Sequence, residues 1–222
     1  MKKTYSYIIL ILLFISPVYA SSSDSMVTVY KDGEFISRYQ QLIRTTPDIA
    51  ASVVNYLVNE FHNSPENLFS WAFKDLGLQE KTDNELIFVV KPSVFDKKTG
   101  ITHGNFDIIV PHIKTFKDVK VDAIVSKKQL KNGETKATAE IIYSSLLLKH
   151  AQGSATIIPQ KNNEQLLITD VSIKFGWFFN IFITKKRYKS IVEWRIKKFS
   201  ENLKAECEKR QKSMNAVSGK NN

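Results

Sequence analysis

One cysteine, Cys207, is all the thiol chemistry this sequence holds. No internal disulfide can brace the fold in any compartment, and no cysteine cluster can hold a metal. Glycine and proline are sparse, at 8 and 6, which excludes collagen-like and low-complexity Pro/Gly architectures. The four histidines, His62, His103, His112 and His150, never take the His-Glu-x-x-His spacing of a helical zinc site. His103 and His112 flank one predicted strand and would stand about 30 Å apart when extended, too far to share an ion. There is no Gly-x-Ser-x-Gly elbow, no phosphate-cradling glycine loop and no dinucleotide fingerprint. No catalytic residue, metal ligand or cofactor is therefore assigned. Asp107, Asp122, Glu140 and Asp170 fall within predicted strands whose alternation turns most of them outward, and an acid–base pair formed across the fold stays open.

Long apolar runs are also missing, with one exception that is itself too short to span a bilayer. Ile8 to Ile15 follows Lys2 and Lys3 and is broken by Ser16-Pro17, and Val18-Tyr19-Ala20 places small side chains where a signal peptidase needs them. The pattern predicts a cleavable signal peptide over residues 1–20 and an exported product, periplasmic or secreted. An uncleaved anchor needs about 20 apolar residues, and a lipoprotein needs its cysteine at the cleavage site rather than at 207. Export leaves 202 of the 222 residues, enough for one domain with its own core.

Acid is the other shortage. Asp and Glu number 22 against 32 Lys and Arg, a net charge of +10, or +8 once the signal lysines are gone. Much of the excess sits in Lys185-Lys186-Arg187, Lys189, Arg195, Lys197-Lys198 and Lys209-Arg210. The solvated face of a helix accounts for it, and transient contact with an anionic membrane surface is the partner such a face suits. Nucleic acid is not indicated, because the chain has no finger spacing, no aromatic nucleic-acid signature and no basic zipper region.

The patterning gives an element order without repeats or internal linkers, hence a single domain over residues 26–211, flanked by short polar stretches at 21–25 and 212–222 that read as disordered. Met26 to Tyr30 reads as a strand closed by Asp32-Gly33. Residues 34–43 read as helical. Thr46-Pro47-Asp48 starts a helix with Ile49, Val53, Tyr56, Leu57 and Phe61 on one face. Ser64-Pro65-Glu66 starts a shorter one stopped by Gly77. Six strands follow, at 86–91, 102–110, 119–126, 134–148, 152–159 and 165–175, and the Asn132-Gly133 turn marks a hairpin. Phe178, Ile181, Phe182, Tyr188, Val192, Ile196, Phe199 and Leu203 then form the apolar stripe of one long helix beginning near Gly176. The fold class is α+β: a curved antiparallel sheet of about seven strands packed on a long C-terminal helix.

That order resembles the helix-grip fold of the START-like, or polyketide cyclase-like, superfamily (SRPBCC). Two stretches carry the resemblance: Gln152-Gly153-Ser154-Ala155-Thr156-Ile157-Ile158-Pro159 is similar to the glycine-led penultimate strand of those proteins, and residues 176–182 are similar to the lead-in to their terminal helix. The resemblance covers residues 85–205 and implies an apolar cavity between sheet and helix that takes a lipid or other hydrophobic small molecule. Tyr143, Phe175, Trp177 and Phe179 are the pocket candidates, each of which also fits as core packing. Three function classes stay open: an exported carrier of an apolar ligand, a cyclase- or hydrolase-type enzyme, and an envelope interaction module with a filled core.

Overall fold

The computed structural model describes residues 24–66, 87–110, 112, 114–130, 133–145, 148–177, 180 and 183–218. The chain begins with strands β1 (Ser25–Lys31) and β2 (Glu34–Arg44), then helix α1 (Pro47–Asn63). Strands β3 (Ile87–Val90), β4 (Val94–Asp96), β5 (Ile101–Val110), β6 (Lys114–Gln129), β7 (Thr135–Ser144), β8 (Leu148–Pro159) and β9 (Glu164–Phe175) follow. A helical rod closes the chain: α2 (Lys185–Tyr188), a π-helical turn (Lys189–Glu193) and α3 (Trp194–Ser218). The strands form one unclosed antiparallel sheet in the order β1-β2-β9-β8-β7-β6-β5-β3, with β4 also on β5. This is a curved sheet gripping a C-terminal helix, the helix-grip arrangement expected from the sequence.

Among the described residues the sheet has nine strands rather than about seven, and β2 is the instructive addition. Asp32 and Gly33 both take positive φ, 54° and 80°, so the turn is of the type that matches the twist of two adjacent strands. Residues 34–43 therefore fold back as a strand instead of a helix. Phe35, Tyr39 and Ile43 are buried four residues apart, a spacing that serves either period, while the inward positions between them, Ser37 and Gln41, are polar. That polarity hid the alternation. The second addition, β4, has only three residues.

Thr46-Pro47-Asp48 does start α1, but Thr46 makes no side-chain cap. Its N–H donates instead to Gln211 Oε1 of α3 at 2.9 Å. Ile49, Ala50, Val53 and Val54 of α1 join Ile43, Leu167, Leu203 and Cys207 in one core cluster. The helix expected after Ser64 lies outside the described residues. Trp177 and Asn180 are helical, with Asn180 N–H bonding Gly176 O at 2.9 Å, as a start near Gly176 would have it; Ile183 and Thr184 are not helical, and the long rod begins at Lys185, where the Thr184 hydroxyl accepts from Arg187 N–H at 3.2 Å as its cap. The rod also runs to Ser218, into the stretch expected to be a disordered tail, where Gln211 Nε2 donates to Asn215 Oδ1 and Ser213 Oγ to Lys209 O, each at 3.1 Å. Ser25, also expected to be disordered, pairs with Gln40.

Candidate functional site

The inner face of the sheet has a floor of small side chains. Across β7, β8 and β9 the register sets Ala137 beside Ala155 and Thr169, and in the next inward row Ala139 beside Gly153 and Val171. Of these only Thr169 meets the helical rod above, through Ser200; the alanines, the glycine and the valine leave space beneath it. A cavity of about 470 Å³ results, walled by apolar atoms and roofed by the rod and by α1 residues such as Val54 and Leu57. Its size falls within the ~300–1,000 Å³ usual for small-molecule sites. The described residues thus enclose space, which is not the filled core of the interaction-module reading.

The rod lines this cavity with the neighbouring pairs Arg187–Tyr188, Ile191–Val192 and Arg195–Ile196, which recur every fourth residue, and then with Phe199 and Leu203. A regular α-helix repeats every 3.6 residues, so a strict spacing of four drifts steadily round the axis. The π-helical turn at Lys189–Glu193 corrects the drift, because it absorbs one extra residue in a turn. Eight residues then advance the helix about as far round as seven, and Arg187 and Arg195 return to nearly the same face. Ser200 locks the rod to the floor through its hydroxyl, 2.8 Å from that of Thr169.

Three titratable groups occur among the described lining residues: Arg187, Tyr188 and Arg195. Tyr188 is fully buried and stacks on Phe35 with ring centroids 3.9 Å apart. Its hydroxyl lies 2.9 Å from Ser37 Oγ, which in turn lies 2.8 Å from Thr28 Oγ1. Burial pushes the phenol up to about 12, helped by the charge of Glu193 and opposed by the Ser37 bond. It stays protonated at neutral pH, with its hydroxyl committed to β2. Arg195 Nε is buried. No Asp, Glu, His or Cys is among the described lining residues, and no group of three such side chains that could hold a metal ion occurs among the described residues.

The pocket candidates from the sequence separate. Phe175 lines the cavity. Tyr143 does not: it is 51% exposed on the outer face. A register shift between Asp122 and Ala123 sets Ile141 opposite Ala123 and Tyr143 opposite Asp122, leaving Ile142 as the extra residue. That bulge reverses the alternation running from Ala137 and Ala139, so Tyr143 turns outward. Trp177 is 75% exposed, beyond the end of β9. Phe179 lies outside the described residues. Small residues at alternate positions of β7 and β8 were the signal that would have located the cavity, together with the four-residue spacing of the rod.

Several strand acids are engaged in ion pairs away from the cavity lining. His103 Nδ1 meets Asp122 Oδ1 at 2.8 Å, and Arg38 Nε donates to Asp170 at 2.6 Å. Lys91 Nζ bridges Asp107 and Asp118, 2.7 Å from each, and holds both carboxyls below the ordinary range.

No protein-family model matches the sequence, and no curated protein sequence matches it. Among solved structures the chain is similar to a START superfamily protein from Mycobacterium smegmatis, at 9% identity and a TM-score of 0.46, over 78% of this chain and 97% of that one. It is similar to the di-domain ARO/CYC StfQ from the steffimycin biosynthetic pathway at 12% identity and a TM-score of 0.46, over 79% of this chain and 52% of that one. It is also similar to truncated norcoclaurine synthase from Thalictrum flavum at 8% identity and a TM-score of 0.41, over 83% and 96% of the two chains.

Proposed function

We propose that this protein is an exported carrier that holds a lipid or other apolar small molecule between its sheet and its C-terminal helix. The observation behind the reading is the 470 Å³ apolar cavity over a floor of alanine, glycine, threonine and valine. A sheet selected only for packing would fill that floor with Leu, Ile or Phe, since each buried methylene contributes about 0.8 kcal/mol. The signal-peptide pattern of residues 1–20 supports export. Contact with an anionic membrane surface belongs to the same proposal. Lys185, Lys186 and Lys189 are exposed at the start of the rod, where Lys185 Nζ sits 4.9 Å from the Tyr30 ring of the β1–β2 hairpin, and Trp177 is exposed beyond the end of β9. Exposed lysines and an exposed indole suit the interface of a bilayer bearing acidic headgroups.

The test is titration of the purified protein with an environment-sensitive apolar fluorophore, followed by displacement with long-chain lipids. Saturable one-to-one uptake that lipids reverse supports carriage. Absence of uptake under conditions where the protein is folded refutes it.

A further inference from the structure

The cavity offers a ligand space and carbon, and almost nothing to bond. We propose that the enclosed part of the ligand is an uninterrupted hydrocarbon chain, with no charge, hydroxyl or carbonyl along it, and that any polar group the ligand carries stays outside the apolar wall. This rests on the carrier reading and names the class of molecule carried.

Three observations converge on it. The first is the wall, where Val54, Leu57, Ile173, Ile191 and Phe199 stand and where nearly all of the surface belongs to apolar atoms. The second is the floor. Its backbone N–H and C=O groups are spent in the β7–β8 and β8–β9 ladders. The third is the state of the polar side chains among the described lining residues. The Ser200 hydroxyl donates to Ile196 O at 2.9 Å, so in its 2.8 Å bond with Thr169 the threonine is the donor, and neither keeps a proton for a ligand. Tyr188 Oη is committed to Ser37 at 2.9 Å. Thr138 bonds Ser126 at 2.8 Å, and Ser154, opposite Thr138 and Asp170 in the register, shares their outward face. Arg187 and Arg195 interact with other groups of the protein, and Arg195 Nε is sealed from any ligand.

An oxygen carried into this space gives up its bonds to water and gains none in return, which weakens binding about tenfold for each such group. A chain bearing several ketones or hydroxyls suffers that loss at every one of them. The ligand class is thereby separated from the oxygen-rich chains that a cyclase would need. Volume sets the length: at roughly the 30 Å³ that a water-sized group occupies, 470 Å³ holds about fifteen methylene-sized groups.

Three sixteen-carbon probes with one common head test this on the full wild-type chain: palmitate, 10-hydroxypalmitate and 10-oxopalmitate, each displacing an apolar fluorophore. The shared carboxylate cancels in the comparison, so the affinity ratios report the enclosed chain. Palmitate is expected to bind about tenfold more tightly than either oxygenated probe. A ketone only accepts hydrogen bonds, whereas a hydroxyl donates or accepts. The oxo probe binding as tightly as palmitate would reveal a free donor on the wall, and the hydroxy probe doing so a free donor or acceptor. Either result overturns the proposal while leaving the carrier reading intact, as does fluorophore uptake that palmitate fails to reverse. If neither the fluorophore nor palmitate binds the folded protein, both fall together.

Discussion

Gly153→Leu separates a real cavity from an ordinary core. Gly153 lies on the inner face, level with Ala139 and Val171. A Cβ added there meets Asp170 O at 3.9 Å and Val171 Cγ2 at 4.0 Å, which is ordinary contact. The new side chain enters apolar space without moving the backbone. Burying a leucine side chain contributes about 1.5–3 kcal/mol, and replacing glycine within a strand contributes about 0.5–1 kcal/mol more. Ordering the leucine costs about 0.5–1 kcal/mol, and imperfect contact across a partly filled cavity removes some of the remainder. Net stabilisation of about 1–2 kcal/mol is expected. With a urea slope of about 2 kcal/mol/M, the denaturation midpoint rises by about 0.5–1 M. The ligand loses room for about four methylenes at ~0.8 kcal/mol each, so a cavity-filling chain binds about a hundredfold more weakly. Urea denaturation followed by tryptophan fluorescence, paired with probe displacement, measures both quantities. A lower midpoint, corresponding to the ~1–3 kcal/mol of an overpacked core, with probe binding unchanged, would refute the reasoning.

Leu167→Ala removes a fully buried side chain from the cluster shared by α1, β9 and α3 and is expected to cost about 2–5 kcal/mol by the same denaturation assay. Tyr188→Phe removes the hydroxyl but leaves Ser37 bonded to Thr28 at 2.8 Å, so the loss should be near 1 kcal/mol; a loss above ~3 kcal/mol would mean that Ser37 is stranded. Cys207 is fully buried and its thiol is pushed up to about 12, chiefly by burial, so a colorimetric thiol reagent should react only as fast as the protein unfolds. Asp107 and Asp118 have carboxyls lowered first by the Lys91 hydrogen bond. Groups lowered in the folded state stabilise it above their unfolded values and lose that contribution as pH falls through the folded ones. Lys91→Ala should accordingly flatten the decline of stability on acidification, and an unchanged profile would contradict it. Trp177→Ala should weaken co-sedimentation with acidic vesicles, and wild-type binding should fall with salt.

The meander from β5 to β9 was legible because strands such as β6 and β9 alternate over most of their length and the turns carry glycine, asparagine or aspartate, Gly100 and Gly133 both having positive φ. The long C-terminal helix was legible from its apolar stripe. β2 was not, because polar Ser37 and Gln41 hold buried inward positions, Ser37 through its bond to Tyr188 of the rod. The candidate site was legible only in outline. Aromatic residues draw attention in a sequence, yet a cavity is made by what is small, and Ala137, Ala139, Gly153 and Ala155 acquire meaning only when the register lines them up. The outward turn of Tyr143 depends on one bulge. The alignment of Arg187 with Arg195 depends on one π-helical turn.

Carriage of an apolar molecule is tested most directly by native mass spectrometry, with organic extraction, on the protein purified without detergent from the cells that make it. The account predicts a stoichiometric adduct whose extracted component is a lipid or other apolar small molecule. A clean apoprotein mass that persists after incubation with palmitate, hexadecyl phosphate and hexadecanol would contradict it.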